Sequence, residues 1–247
     1  MKTFNVMLRN ELKTSLRGMD MIIFAIIMPL VVLVILGMVF GAKPAFEGAE
    51  YTFLEQSFGA LTSIAICAGG VMGLPLMVSD YRSKHILKRY QVTPISPVIV
   101  LIVEVAMYAI YAAISLISLF IVAALFFGYQ MKGKIGLFLL GWLLVMISIF
   151  SIGLMVGGIA KNSKSAGVIA SILYFPMLVF SGATLPYEVM PTAVQHVVNV
   201  FPLTQGIKIL KNVTLGLPIE DAGISILVII GVAVICTFIG IRCFKWE

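Results

Sequence analysis

The sequence predicts an all-α integral membrane protein. It has six transmembrane helices, an amphipathic helix at the amino end, a basic helix on the cytoplasmic face and two short helices at the outer interface. Three observations carry this reading. Of 247 residues, 61% are apolar and 11% charged, less than half the charged share of water-soluble domains. Six runs with few or no charges, at 21 to 42, 57 to 79, 98 to 127, 135 to 160, 165 to 185 and 222 to 241, can each cross a hydrocarbon layer of about 30 Å as a helix. Finally, the basic residues segregate. Six crossings put both termini on one side, and twelve of the 17 lysines and arginines then share that side: Lys2, Arg9, Lys13, Arg17, Arg82, Lys84, Lys88, Arg89, Lys161, Lys164, Arg242 and Lys245. That side is cytoplasmic, so the net charge of +6 reflects membrane topology and not nucleic-acid binding.

Residues 1 to 20 form a separate amphipathic element before the membrane domain of residues 21 to 247. In "MKTFNVMLRNELKTSLRG", Phe4, Leu8, Leu12 and Leu16 make one helical stripe with Met7 beside it, and the cations lie mostly elsewhere. Such a helix lies flat on anionic inner-leaflet lipid. The apolar run that follows exceeds the ~7 to 15 residues of a cleaved leader's core, so it is expected to remain as the first span.

Between the second and third spans, "DYRSKHILKRYQVTPISP" at 80 to 97 places Ile86, Leu87 and Tyr90 at helical spacing among Arg82, Lys84, Lys88 and Arg89. This predicts a short amphipathic helix on the inner surface, unless the segment is simply a solvated basic loop. Thr93-Pro94 ends it, and Pro97 opens the third span, where its missing amide hydrogen is no loss. That third run is long enough to tilt or protrude, which places Glu104 less than two turns from its inner end. Two readings of Glu104 follow: an interfacial carboxylate paired with Arg82 or Arg89, or an intramembrane acid with a role in coupling.

The outer turn "GYQMKGKI" at 128 to 135 has Gly128, Gly133 and Lys134 at the spacing of a phosphate-binding loop, but Ile135 stands where a magnesium-binding hydroxyl belongs. No strand precedes it, and Lys132 and Lys134 are expected to reach the headgroups. Gly37 with Gly41, Gly69 with Gly73 and Gly153 with Gly157 each space two glycines for close helix packing, within the chain or between chains. Pro29, Pro75 and Pro176 should kink the first, second and fifth spans. Residues 186 to 218 are too apolar for a solvated loop and too rich in proline to span. Val189, Ala193, Val197 and Val200, and then Ile207, Leu210 and Val213, recur about once per turn, predicting two short helices at or dipping into the outer interface.

Enzymatic motifs do not emerge from the sequence. It has no His-Glu-x-x-His and no Gly-x-Ser-x-Gly, and its two histidines, His85 and His196, fall at interfaces. Cys67, Cys236 and Cys243 form no Cys-x-x-Cys pair, and no metal site is expected.

Two stretches together resemble one family. The basic stretch closed by "TPIS" ahead of a long third span is similar to the cytoplasmic coupling helix of type-2 permeases of ATP-binding-cassette exporters, the type V exporter architecture. "FSGATLPYEVMPTAVQHVVNVFPLTQGIKILKNVTLG" at 180 to 216, with its small-residue turn and its "PLT" before an amphipathic segment, is similar to that family's loop after the fifth span. The chain departs from the family in carrying "SKHIL" where relatives commonly have a Gly-Thr-Leu-Glu-like segment.

The resemblance implies a half-transporter in the cell membrane that pairs with a second copy or a close paralogue. It implies cytoplasmic ATPase subunits docked beneath Arg82, Lys84, His85, Leu87, Lys88, Arg89 and Tyr90, and an amino-terminal elbow helix touching them. Mg-ATP would bind in those subunits, with no cofactor in this chain. The second and fifth spans would line a cavity at the two-fold axis, with Ser171, Tyr174, Phe175 and Leu178 sharing a face of the fifth. The expelled compound would be hydrophobic or amphipathic: a drug, an antimicrobial peptide or a lipid. A channel or membrane scaffold is the alternative that composition also fits.

Overall fold

The structure, a computed structural model, describes residues 2–40, 43–45, 49, 51–86, 88, 96–181, 191–218 and 222–243. Nine helices organise them: α1 (Lys2–Gly18), α2 (Ile23–Phe40), α3 (Phe53–Ser83), α4 (Pro97–Phe127), α5 (Ile135–Ile159), α6 (Ser163–Phe180), α7 (Thr192–Val198), α8 (Pro202–Leu215) and α9 (Ala222–Cys243). Six of these, α2 to α6 and α9, are long and apolar enough to cross a bilayer, so the chain is a multi-pass membrane protein.

The central helix is α3, which is buried along most of its length and packs against α2, α4, α5, α6 and α8. It starts four residues before its apolar run because a capping box sets its first turn. The Thr52 hydroxyl accepts from the Glu55 amide at 3.2 Å, and the Thr52 amide donates to Glu55 Oε2 at 2.7 Å. At the other end helical bonding continues past the apolar run to Ser83, so residues 80–83, expected in the cytoplasmic segment, belong to the span. The chain then turns at Lys84 and His85, the latter left-handed at φ 55°. Leu87, Arg89, Tyr90 and residues 91–95, most of the expected basic helix, lie outside the described residues.

Two of the three prolines answer one geometric problem in one way. Pro29 and Pro75 each sit two residues after a wide π-helical stretch, Ile23–Ile27 and Ala68–Gly73 respectively. A proline removes the hydrogen bond to the carbonyl four residues back and crowds that carbonyl, and widening the preceding turn moves it aside. Pro176 lies inside α6 without such a turn. Pro97 does open α4, where the Ser96 hydroxyl accepts from the Val98 amide at 3.3 Å.

Of the paired glycines, Gly41 lies outside the described residues, and the others are used within the chain. A β-carbon on Gly37 would fall 2.4 Å from the Phe127 ring, and one on Gly73 would fall 2.4 Å from the Tyr108 ring, so α2 and α3 both press against α4 through glycine. Gly153 and Gly157 of α5 face the Gly70 carbonyl and Val78 of α3 in the same way.

Of the two short helices after α6, α7 buries only Val198 fully and half-buries Val194 and Gln195, whereas α8 dips into the bundle. Almost every α8 residue is buried against α3, α5 and α9. Gly206 meets Val145 well inside α5, Ile209 lies over Gly141, and at its carboxyl end α8 abuts the 128–134 turn, where the Lys132 and Gly133 amides donate to the Thr214 carbonyl at 3.1 and 3.2 Å. A side chain on Gly133 would collide with the Val213 carbonyl, so this glycine belongs to a backbone junction. Beneath the turn, Phe58 stacks on Tyr129 at 4.4 Å between Phe120 and Phe138. Burial pushes the Tyr129 phenol up, so it stays neutral.

Candidate functional site

One helical turn at the carboxyl end of α3, Asp80-Tyr81-Arg82, joins four other helices. Successive residues on a helix point about 100° apart, so three neighbours can each reach a different partner.

Asp80 holds the start of α6: the Ser163 hydroxyl donates to Asp80 Oδ1 at 3.3 Å and lies 3.4 Å from the Leu76 carbonyl. Its other carboxylate oxygen pairs with Lys84 Nζ at 2.7 Å, an exposed contact worth little by itself. Ser163 is the first residue of α6, behind an Asn162 cap that accepts from the Ser165 amide at 2.9 Å.

Arg82 closes the end of α5. Its Nη1 donates to the carbonyls of Gly157 (3.2 Å), Gly158 and Ala160 (3.1 Å). These are among the last carbonyls of the helix, which have no partner within it, and the guanidinium also complements the negative end of the helix dipole. Two glycines here leave the carbonyls open to the approach.

Tyr81 reaches the other way. Its hydroxyl lies 3.1 Å from Glu11 Oε1 on α1 and 3.1 Å from Glu104 Oε1 on α4. Two turns further along α4, the Tyr111 hydroxyl donates to Ser15 Oγ at 3.0 Å. Matching Glu11 with Glu104 and Ser15 with Tyr111 sets α1 running alongside α4 in the same direction. The face that α1 turns inward is therefore Phe4, Met7, Leu8, Glu11, Leu12 and Ser15, all half-buried, while Leu16, expected in the apolar stripe, is 53% exposed. A groove lined by Asn5, Leu8, Arg9, Leu12, Lys13 and Leu16 runs along the same helix.

Glu104 loses one of its two expected partners, Arg82, in this arrangement. It is fully buried and meets Tyr81, while Arg82, from the same turn, is committed to α5. The reason is rotational: on the last turn of α3, position 81 faces α4 and position 82 faces α5. Arg89, the other expected partner, lies outside the described residues, as do Leu87 and Tyr90 of the docking set. Lys84, His85 and Lys88 are exposed.

The four positions on the fifth span are placed as follows. Ser171, Tyr174 and Leu178 are half-buried on α6, whose inward side packs against α3 and α5. Phe175 is 56% exposed, edge-on to Tyr174 at 5.5 Å, on the side with Val168 and Ile172. The amino-terminal half of α8 carries polar side chains into the bundle. Gln205 donates to the Asn199 carbonyl and accepts from Ser225 Oγ at 2.7 Å, and Lys208 Nζ donates to Asn199 Oδ1 at 2.7 Å. These bonds satisfy polar groups that burial would otherwise penalise.

Reasoning from the sequence missed Glu11, Tyr81, Asp80 and Ser163. Glu11 had a readable signal: an acid in phase with Phe4, Leu8 and Leu12 interrupts a stripe meant for lipid. Tyr81 had none, because nothing in the sequence reveals that two carboxyl groups converge on it.

A family model described as ABC-2 type transporter matches residues 2–215. The Inner membrane transport permease YhhJ of Escherichia coli (strain K12) is 30% identical over 86 residues, 35% of this chain and 23% of that protein. Nodulation protein J of Rhizobium meliloti (strain 1021) is 30% identical over 76 residues, 31% of this chain and 29% of that protein. The matched segments thus span about a quarter of each relative's length. With six apolar helices and this match, the chain belongs to the ABC-2 type transporter family, the membrane permease components of ABC transporters.

Proposed function

We propose that the chain is the permease subunit of an ATP-driven exporter that pairs with a second copy or close paralogue. It docks two cytoplasmic nucleotide-binding subunits beneath residues 80–97 and expels a hydrophobic or amphipathic compound. Mg-ATP is bound and hydrolysed in those subunits. One relative carries the words transport permease in its name, which is in keeping with this reading.

The observation that supports it best is the Asp80-Tyr81-Arg82 turn. The segment that follows it, residues 84 to 96, bears the exposed cations Lys84 and Lys88. A displacement of that segment by a partner closing on nucleotide pulls on the one turn that holds α1, α4, α5 and α6 together. Packed helices respond to such a pull as rigid bodies, which is how a movement beneath the membrane changes access within it. The exposed face of α6, with Ile172 and Phe175, offers apolar surface to the second subunit.

Charge reversal of Lys88 and Arg89 together, with Arg82 left intact because it caps α5, is expected to reduce partner-coupled ATP hydrolysis about tenfold, a loss of ~1.4 kcal/mol of coupling, without lowering the amount inserted in membranes. Unchanged coupled hydrolysis in reconstituted vesicles rejects the docking surface. Transport at full rate by the chain alone would instead favour a channel.

The orientation has its own test. A cysteine replacing Gln130, exposed in the 128–134 turn, should react with an impermeant thiol reagent added to whole cells, and one replacing Lys161 should react only after the membrane is opened. The opposite pattern inverts the topology.

A further inference from the structure

The contact of Tyr81 with two carboxyl groups cannot be satisfied by ionised acids. A phenol has one hydrogen to donate, and an ionised carboxylate can only accept. Tyr81 Oη stands 3.1 Å from Glu11 Oε1 and 3.1 Å from Glu104 Oε1, so with both acids charged one of the two contacts is a bare repulsion between oxygens. One further proton resolves it. The carboxyl that keeps this proton donates to Tyr81, and Tyr81 donates to the other.

Burial decides which acid holds it. Glu104 is fully buried, and its second oxygen, Oε2, is also buried without a hydrogen-bond partner among the described residues. As a neutral acid it leaves only a carbonyl oxygen unpaired, whereas as an anion it leaves part of a charge without a donor. Glu11 is only half-buried, on α1 at the surface of the bundle. Among the described residues no cation pairs with Glu104. The titratable groups acting on Glu104 are Glu11 from α1 and Tyr81 from α3, with Tyr108 and, through it, Tyr111 on α4 itself. Helix α2, also packed on α4, has no titratable residue between Ile23 and Phe40. Arg82 is turned to α5, and Arg9 and Lys13 line the groove on α1.

We propose that Glu104, Tyr81 and Glu11 form a binding site for a single proton, and that this proton latches α1 to the inner ends of α3 and α4. With the proton in place the order is Glu104 to Tyr81 to Glu11, each donating to the next. When it leaves, two anions face one phenol hydrogen and α1 loses that anchor, keeping the Tyr111–Ser15 bond deeper in the bundle. The docked state binds the proton more tightly than the undocked state, so docking is complete at low pH and is lost as pH rises through the docked-state titration. The latch deepens the fold and not the exporter reading, and it stands or falls without nucleotide, partner or substrate.

The test uses the full chain in lipid vesicles, with Cys67, Cys236 and Cys243 replaced by alanine. A single cysteine replaces either Leu12, half-buried on the docked face, or Val6, 60% exposed on the same helix. Labelling by an uncharged maleimide is taken as the ratio of the Leu12 site to the Val6 site, which removes the intrinsic pH dependence of the thiol. The ratio is expected to rise about tenfold between about pH 5 and about pH 9. In Glu104→Gln, whose amide donates to Tyr81 at every pH, it should stay low throughout, and in Tyr81→Phe it should stay high throughout. Tyr111→Phe should raise the ratio at all pH values yet keep the rise. A flat ratio in the parent chain, or a rise in Glu104→Gln matching the parent's, overturns the proposal; the parent's own profile decides it even if a variant fails to fold.

Discussion

Gly153→Ala is expected to abolish stable assembly of the bundle. The β-carbon of even the smallest side chain there would lie 1.8 Å from the Gly70 carbonyl oxygen, an approach no rotamer relieves because the obstacle is backbone. Relief requires α3 and α5 to separate, and α3 is the helix on which the others are packed. The reciprocal position is equally tight, with a β-carbon on Gly70 2.7 Å from Ile149 and Phe150. Overpacking of a close-packed interior costs about 1 to 3 kcal/mol when side chains can shift, so ~3 kcal/mol or more is expected where they cannot. The readout is monodisperse yield and thermal midpoint in detergent, beside Gly167→Ala, where nothing lies within 4 Å of the new carbon. A Gly153→Ala chain as stable as Gly167→Ala would mean that the α3–α5 crossing is wider than the structure has it.

The second large effect is expected from Arg82→Gln. It removes the cation from the inner end of α5 and leaves the carbonyls of Gly157, Gly158 and Ala160 to compete for water. Charge-assisted bonds contribute about 1.5 to 3 kcal/mol, and the partial exposure of Arg82 keeps the expected loss near ~2 kcal/mol. For a domain of this size that is a fall of about 4 to 8 °C in thermal midpoint. Arg82→Lys should recover only part of it, since an ammonium is more strongly hydrated than a guanidinium and gives up more water on reaching the same carbonyls. The α5–α6 link at 160–162 should also become more susceptible to protease. If midpoint and cleavage are both unchanged, the cap contributes nothing and Arg82 is free to act in docking alone.

Of the fold, the spans were legible because the bilayer imposes them: a helix must satisfy its own backbone bonds and be apolar for about 30 Å, and both demands are written along the chain. The ends were less legible. The start of α3 moved from 57 to Phe53 because a capping pair, Thr52 and Glu55, outweighs the hydropathy of the residues between. Its carboxyl end moved from 79 to Ser83 because Asp80, Tyr81 and Arg82, polar in sequence, are matched by groups on other helices.

The candidate site divides along the same line. That Glu104 is an acid inside a span was plain from one dimension, and so was the charge of the segment after residue 80. Its partner was not. Arg82 was one of two arginines expected to pair with it, yet the side of α3 that faces α4 carries Tyr81, and the second carboxyl group comes from Glu11, 93 residues away from Glu104 in sequence. The dipping of α8 was foreseen as one of two options by its apolar spacing, and Gly133, Gly141 and Gly206 make room for it.

By itself, then, the order of residues determined that this protein lies in a membrane, how many times it crosses and where its cations concentrate. Those properties depend on the transfer of each segment from water to lipid, and a segment carries that free energy with it. Tertiary structure alone decided that α3 is the hub, that glycines bring α3 to within backbone contact of α5, and that three polar residues on one turn tie down four helices. Those depend on the rotation and spacing of helices about one another, which are set only when all of them pack at once.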